Sequence, residues 1–174
     1  MAVKVDLSAV RFLIVDPHPL MLDLLRDILM ALGAHSVLRA QGMAQAERLL
    51  RGQGVDVLIT ELALQPGSGL DLVEFVRRNA ASANQTMPIV MVTAEADDVR
   101  VFEARDRGVT EFLAKPFTAE RLYNRIVSAV ARPRPFVNSE EYFGPDRRRR
   151  QMPYKGQERR VTEPEHVMAS DRRS

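Results

Sequence analysis

The chain of 174 residues contains no cysteine. This absence excludes disulfides, thiolate metal sites and cysteine nucleophiles, and it is compatible with a reducing cytoplasm. No apolar run approaches the roughly 18 residues that a membrane span needs. The N-terminus also lacks the basic segment and uninterrupted apolar segment of a secretory signal. The sequence therefore predicts a soluble cytoplasmic protein.

Groups that could perform catalysis or hold a metal are sparse. The three histidines, His18, His35 and His166, have no companions at metal-ligand spacing. Serine, histidine and carboxylate side chains do not group in a pattern that would activate a nucleophile. We therefore expect a non-enzymatic protein.

Charge is unevenly distributed along the chain. Residues 1–132 hold 15 Lys/Arg against 16 Asp/Glu, whereas residues 133–174 hold 10 against 7. The sequence pI of about 9.3 thus reflects the last part of the chain. The length fits one domain with an appended segment. We predict a domain over residues 8–132 and an arginine-rich tail over residues 133–174.

Residues 8–132 alternate short apolar runs with amphipathic segments of helical spacing. The predicted strands are Arg11–Val15, Ser36–Arg39, Val55–Thr60, Ile89–Val92 and Glu111–Ala114. The predicted helices are Pro19–Leu32, Met43–Arg51, Leu70–Arg78, Val99–Arg107 and Thr118–Ala131, the last with Thr118 as its N-cap. Nearly continuous apolar strands predict an α/β fold, a doubly wound five-stranded parallel sheet covered on both faces.

Four of the predicted strands are followed or ended by a polar side chain, namely Asp16, Glu61, Thr93 and Lys115. Parallel sheets place functional groups at this edge. Three strings match a known pattern, namely Phe12–Asp16, Met91–Ala96 and Lys115–Ala119. With them, residues 10–131 resemble the receiver domain of two-component response regulators, the CheY-like proteins. The resemblance implies a flavodoxin/CheY-like fold with its functional pocket at that edge.

Two departures from the receiver pattern bear on function. Pro17 stands where the family has a second acid that ligates magnesium, and Glu61 stands where it has the phosphoacceptor aspartate. Phosphoryl transfer depends on a metal and an accurately placed nucleophile. We therefore expect no metal and no phosphorylation of Glu61. Two interpretations stay open: Glu61 imitates the phosphorylated state beside Thr93 and Lys115, or Glu61 and Lys115 neutralise each other.

Phe112 lies where the family often has a switch aromatic. By the resemblance, the surface formed by the fourth helix, fifth strand and fifth helix is the docking face for partner proteins. Phe112 is thus either a core residue or an anchor for a partner at that face.

The character of the sequence changes after Ala131. Arg132–Pro135 cannot continue a helix and predicts a short, stiff linker. Beyond it, periodic apolar spacing disappears, so we expect a mostly disordered arm. The exceptions are Phe136-Val137 and Tyr142-Phe143, which could dock on the domain or flank a ligand.

The tail repeats one theme three times, an acid followed at once by paired arginines. The acids are Asp146, Glu158 and Asp171; the first two are 12 positions apart and the last two are 13 positions apart. Nine of the ten basic residues in the tail are arginine, although lysine would serve a solvating purpose equally well. The pattern favours specific recognition over a plain basic tail.

Guanine nucleotides suit this pattern. Carboxylates such as Asp146 and Glu158 can accept from the N–H donors on one guanine edge, and arginines can fork onto O6 and N7 on the other. Guanidinium groups also stack on rings and neutralise phosphates. The competing interpretation is a solvated or nonspecifically nucleic-acid-binding tail, which has no use for an acid at the head of each cluster.

The strings Tyr142–Arg150 and Tyr154–Arg160 resemble the arginine-rich extension of CheY-like cyclic di-GMP effectors, often called Cle proteins. That resemblance implies that the tail binds cyclic di-GMP, as one or two molecules. It also implies that the domain docks on the flagellar motor switch, at the cell pole, to modulate swimming and surface attachment. The predicted ligand-binding residues are Tyr142, Asp146, Arg147, Arg148, Arg149, Arg150, Tyr154, Glu158, Arg159 and Arg160.

The third cluster, Asp171-Arg172-Arg173, is too distant and terminal to assign. Two competing functions remain: a phosphorylation-regulated single-domain response regulator, and a nucleic-acid-binding adaptor. The first requires formation of an acyl phosphate with magnesium, and the second requires binding to any duplex with a steep dependence on salt.

Overall fold

The computed structural model describes residues 5–78, 84–139 and 142–146, together with the backbone of residues 165–167. The first five strands are β1 (Arg11–Val15), β2 (Ser36–Ala40), β3 (Val57–Thr60), β4 (Ile89–Thr93) and β5 (Glu111–Ala114). The helices that alternate with them are α1 (Pro19–Ala31), α2 (Met43–Gly52), α3 (Gly69–Arg78), α4 (Asp98–Asp106) and α5 (Ala119–Ala131). Strand order is β2-β1-β3-β4-β5, with each neighbouring pair parallel. The predicted doubly wound parallel sheet is confirmed.

The core lies in two layers, one on each face of the sheet. Alternate strand residues point to opposite faces. Phe12 and Ile14 pack with apolar side chains of α1 and α5, and Leu13 and Val15 pack with those of α2 and α3. This two-sided burial explains why the strands read as unbroken apolar runs. Among the described residues, no helix has the length and apolar character needed to cross a membrane.

Local hydrogen bonds set two element boundaries. The Thr118 hydroxyl accepts from the N–H of Arg121 at 3.2 Å, so the predicted N-cap of α5 is confirmed. The third strand begins at Val57 and not at the predicted Val55. The reason is that the carboxylate of Asp56 accepts from the N–H of Arg11 at 2.8 Å, which holds the residue in the loop beside the start of β1.

A second, small sheet follows α5. Its central strand β6 (Phe136–Asn138) pairs antiparallel with β7 (Phe143–Pro145) and with β8 (Glu165–Val167). We call the described residues 134–139 and 142–146 the arm hairpin. The sequence predicts that Phe136-Val137 and Tyr142-Phe143 either dock on the domain or flank a ligand. In the structure, Phe136 is buried. The rest of the tail, residues 147–164 and 168–174, lies outside the described residues.

The arm hairpin is fixed to the domain beside the start of β5. The guanidinium of Arg134 donates to the carbonyl of Thr110. The Phe136 ring packs under the guanidinium of Arg77 and against the ring of Phe143, with centroid distances of 5.0 and 5.6 Å. The packed unit therefore continues past residue 132.

Candidate functional site

Three charged side chains meet at the carboxyl edge of the sheet. Asp16 follows β1, Glu61 follows β3 and Lys115 follows β5. The Lys115 ammonium donates to Asp16 Oδ2 at 2.9 Å and to Glu61 Oε2 at 2.6 Å. Both acids are buried. We call Asp16, Glu61 and Lys115 the acid–lysine cluster. Thr93, also buried, lies at the end of β4, and its hydroxyl accepts from the N–H of Glu95 at 3.2 Å.

The acid–lysine cluster keeps its ammonium charged. Burial lowers the pKa of Lys115, but the hydrogen bonds and charges of Asp16 and Glu61 together outweigh burial, so the pKa is raised above its ordinary value. A buried carboxylate without a cation would be costly. The ammonium is thus the counter-charge for both acids.

Backbone groups complete the surroundings of Glu61. Its Oε1 accepts from the N–H groups of Leu62 and Ala63 at 2.7 and 3.3 Å, while its Oε2 holds Lys115. The contact required by the interpretation in which Glu61 and Lys115 neutralise each other is therefore present. The other interpretation, that Glu61 imitates a phosphorylated state, concerns activity and stays a prediction.

The residues of this pocket do not fit the magnesium ion that the receiver pattern implies. Pro17 contributes no side-chain oxygen. The Lys115 ammonium binds one oxygen of Asp16 and one of Glu61. The second oxygen of Asp16 accepts from the N–H of His18 at 2.8 Å, and the exposed His18 ring lies 3.1 Å from it. Magnesium needs several oxygen ligands in octahedral geometry, and it would have to displace the lysine to obtain them.

A second feature lies on the surface formed by α4, β5 and α5. A cavity of about 510 Å³ opens there, and its walls are formed by Ala96, Val101, Phe112, Leu113, Ala114, Arg121, Asn124 and Arg125. Phe112 is half-buried at this cavity. On the same helix as Val101, Val99 and Phe102 are 73% and 54% exposed. The surface combines apolar groups with arginines, and its role in docking stays a prediction. We call it the α4–β5–α5 face.

The described part of the predicted ligand site consists of Tyr142 and Asp146. The Tyr142 hydroxyl donates to the carbonyl of Pro145 at 2.7 Å, and the N–H of Asp146 donates to the carbonyl of Pro135 at 2.8 Å. Both contacts close the arm hairpin. The other predicted ligand-binding residues lie outside the described residues; they are Arg147, Arg148, Arg149, Arg150, Tyr154, Glu158, Arg159 and Arg160.

Sequence analysis missed the buried arginine Arg77. Only 2% of this residue is exposed, and it donates to the carbonyls of Gly108, Gln85 and Met87 at 2.6 to 3.0 Å. Burial lowers the pKa of Arg77 to about 9, against a smaller opposing effect of Tyr142. The guanidinium is still charged at neutral pH. The signal was available: Arg77 is four residues after Val73 and hence on the apolar face of α3.

Comparison with known proteins defines the class of this chain. The model of the response regulator receiver domain matches residues 12–127. A CheY homologue of Campylobacter jejuni is 34% identical over 117 residues, which are 67% of this chain and 88% of the relative. The chemotaxis protein CheY of Pseudomonas aeruginosa is 33% identical over 116 residues, 67% of this chain and 92% of the relative. The chain belongs to the response regulator receiver family.

Solved structures agree on the fold. A receiver domain protein from Clostridium thermocellum has 25% identity and a TM-score of 0.64, over 71% of this chain and 95% of that one. The chemotaxis response regulator CheY4 of Vibrio cholerae has 24% identity and a TM-score of 0.64, over 70% of this chain and 98% of that one. The family match ends before the arm hairpin.

Proposed function

We propose that this receiver protein is a non-enzymatic signalling effector that binds cyclic di-GMP through its arm. With the ligand bound, its α4–β5–α5 face docks on the flagellar motor switch and modulates motility and surface attachment. The observation on which the proposal rests is the attachment of the arm: the first acid–arginine cluster follows directly after a hairpin that packs on the domain. The names of the relatives, chemotaxis proteins, support the motor as the partner.

The ligand suits the arm because its groups match those of the clusters. Asp146 and Glu158 accept hydrogen bonds from the guanine N1–H and N2–H groups. The paired arginines donate to the phosphate oxygens and to the guanine O6 and N7 atoms. Charge-assisted hydrogen bonds contribute about 1.5–3 kcal/mol each. Micromolar affinity needs a net of about 8 kcal/mol. Ordering of the chain costs about 1–2 kcal/mol per residue, and the packed hairpin reduces the length that the ligand must order.

The hairpin also supplies a route from the ligand to the docking face. It contacts the turn between α4 and β5, which are two of the three elements of that face. Arg134 donates to Thr110, and Gly144 lies so close to Gly108 that a Cβ on it would be 3.0 Å from the Gly108 Cα. A ligand that stabilises the hairpin therefore also stabilises the contacts between the hairpin and this turn. A switch requires such a difference in contacts between the free and the ligand-bound protein.

The relatives favour a second candidate, a phosphorylation-regulated response regulator. The acid–lysine cluster argues against this candidate, because the Lys115 ammonium is hydrogen-bonded to both acids. In addition, Pro17 has no side-chain oxygen that could bind magnesium. A small phosphodonor with Mg²⁺ separates the two. Intact-mass measurement should show no acyl phosphate on the wild type. The comparison variant is Pro17→Asp/Glu61→Asp, in which both missing acids are restored. Modification of the wild type at Glu61 would favour the second candidate.

Calorimetric titration of the full chain with cyclic di-GMP tests the proposal. Arg147→Ala/Arg148→Ala should weaken binding at least tenfold, because two charge-assisted contacts are lost. Arg26→Ala/Arg48→Ala removes the same charge from α1 and α2 and should bind like the wild type. Equal affinity of the two double variants would contradict the proposal. Competing duplex DNA at several salt concentrations separates it from a nucleic-acid adaptor, which DNA would saturate with a steep salt slope.

A further inference from the structure

A cavity lies between the domain and the arm hairpin, and it shares no wall residue with the acid–lysine cluster or with the cavity of the α4–β5–α5 face. Its volume is about 290 Å³, and its walls include Glu74, Arg77 and Arg78 of α3, Asp106 and Arg107 at the end of α4, and Tyr142. Ligand pockets in proteins have volumes of about 300–1,000 Å³. This one therefore fits part of a dinucleotide, such as one base with a phosphate oxygen, and not the whole molecule. We call it the α3–hairpin cavity.

The side chains at its rim repeat the chemistry of the arm, an acid beside two arginines. Glu74 forms ion pairs with Arg107 at 2.8 Å and with Arg78 at 3.6 Å. All three side chains are 42–59% exposed, so solvent and a ligand can reach them. The two guanidiniums orient the carboxylate. A carboxylate held in this way suits the N1–H and N2–H edge of guanine.

The floor of the cavity carries a buried positive charge. Arg77 is buried, and its guanidinium donates to three backbone carbonyls and, at 3.4 Å, to the hydroxyl of Thr110. These acceptors are neutral. The formal charge of the wall residues is positive, since three arginines face Glu74 and Asp106. A buried cation with neutral partners raises the potential in the adjoining cavity and attracts anions.

The arm supplies an aromatic wall and then the first cluster. Tyr142 is half-buried at the cavity, and its hydroxyl bond to Pro145 fixes the ring within the hairpin. Asp146 is anchored by its N–H bond to Pro135. In the sequence, Arg147 follows Asp146 directly, so the first arginine cluster begins where the arm hairpin ends.

We propose that the α3–hairpin cavity is the receiver-domain part of the nucleotide site and takes one guanine base of the cyclic dinucleotide. Glu74 accepts from the guanine edge, Arg78 and Arg107 approach the phosphate, and the Tyr142 ring stacks on the base. This inference rests on the proposed function. It adds the walls of the α3–hairpin cavity to a ligand site that otherwise consists of the arm alone.

Titration of the full chain with cyclic di-GMP and with cyclic di-AMP tests this site. Glu74→Gln keeps the shape but removes an acceptor, and Arg107→Ala removes one cation; each should weaken cyclic di-GMP binding about tenfold. Glu47→Gln is the control for Glu74→Gln, because Glu47 pairs with the arginine four residues later on α2 as Glu74 does on α3. Arg26→Ala is the control for Arg107→Ala, since both side chains are exposed and ion-paired. The controls should bind within twofold of the wild type, and Glu74→Gln should lose discrimination against cyclic di-AMP.

Three other outcomes separate the failure of this inference from the failure of the proposed function. If Arg147→Ala/Arg148→Ala loses binding while Glu74→Gln and Arg107→Ala bind like the wild type, the cavity is not part of the site and the arm acts alone. If the controls weaken binding as much as the cavity variants, the loss is not specific to the cavity and the inference is overturned. If the wild type does not bind, the proposed function falls and the inference falls with it. Thermal unfolding of each variant checks the fold, and Arg78→Ala replaces Arg107→Ala if that variant unfolds.

Discussion

The guanidinium of Arg77 lies over the ring of Phe136, 5.0 Å from its centroid, and both residues are buried. Arg77 belongs to α3, and Phe136 belongs to the arm hairpin. The Nε of Arg77 also donates to the carbonyl of Gly108 at 3.0 Å. This stack therefore joins the arm to the turn before β5, and it makes the arm hairpin part of the folded unit.

Phe136→Ala should destabilise the protein by about 3 kcal/mol. Truncation of a buried phenylalanine costs about 3–5 kcal/mol, and we expect the lower end because the strand that carries Phe136 has only three residues. Chemical denaturation measures the change. Phe102→Ala is the matched control, because Phe102 is 54% exposed; its effect should stay within about 0.5 kcal/mol. Equal stability of the two variants would show that Phe136 is not part of the core.

A chain that ends at residue 132 should melt at a lower temperature than one that ends at residue 146. The shorter chain loses the Phe136 ring, which packs on the Arg77 guanidinium, and it loses the hydrogen bond from Arg134 to Thr110. A difference of 2 kcal/mol corresponds to about 4–16 °C for domains of 60 to 250 residues. Calorimetry measures both melting temperatures. Identical values would mean that the hairpin adds nothing to the stability of the domain.

Lys115→Met should cost about 2 kcal/mol of stability at neutral pH. Breaking a buried ion pair costs about 3–5 kcal/mol, and the 16% exposure of the Lys115 side chain reduces that figure. Arg48→Met, an exposed residue of α2, is the control for loss of charge. A loss no larger than that of the control would contradict the role of Lys115 as counter-charge.

The dependence of stability on pH follows from the contacts of Lys115 with Asp16 and Glu61. The folded pKa of Lys115 is raised above its ordinary 10.5, so its stabilising contribution is complete below that value and is lost only as pH rises through the folded pKa. The stability difference between wild type and Lys115→Met should therefore be constant from neutral pH up to the ordinary 10.5 and shrink at higher pH. A difference that already shrinks below that value would contradict the raised pKa of Lys115.

Cyclic di-GMP should slow amide exchange both in the arm hairpin and in residues 107–110. The reason is that the ligand stabilises the hairpin, and the hairpin contacts the turn before β5. Gly108→Ala should weaken this effect, because Gly108 has a φ of 98° and a Cβ would lie 3.3 Å from the Arg77 side chain. Hydrogen exchange with mass spectrometry measures both regions, with α1 as an internal reference. Protection confined to residues after 146 would show that the arm does not signal to the domain.

Periodicity and topology made most of the domain predictable. Apolar runs of about five residues between amphipathic segments defined the strands and helices. The carboxyl-edge rule for parallel sheets predicts that Asp16, Glu61 and Lys115 lie together at one edge of the sheet. Their pairing geometry was not predictable, because it depends on side-chain rotamers and on the backbone N–H groups near Glu61.

The arm was harder to predict from sequence. Its strands β6, β7 and β8 have three residues each, which is too short for any apolar period. Their pairing is set by tertiary contacts, chiefly the burial of Phe136 on Arg77. An arginine on the apolar face of α3 is a sequence signal that an additional element covers that face.

Titration of cyclic di-GMP into the chain ending at Asp146 tests the central claim most directly. This chain keeps the residues of the receiver domain, of the arm hairpin and of the α3–hairpin cavity, and it lacks β8 and every arginine cluster of the tail. We predict micromolar or tighter binding for the full chain and at least a hundredfold weaker binding for the shortened one. Equal affinities of the two chains would contradict recognition of the ligand by the arm.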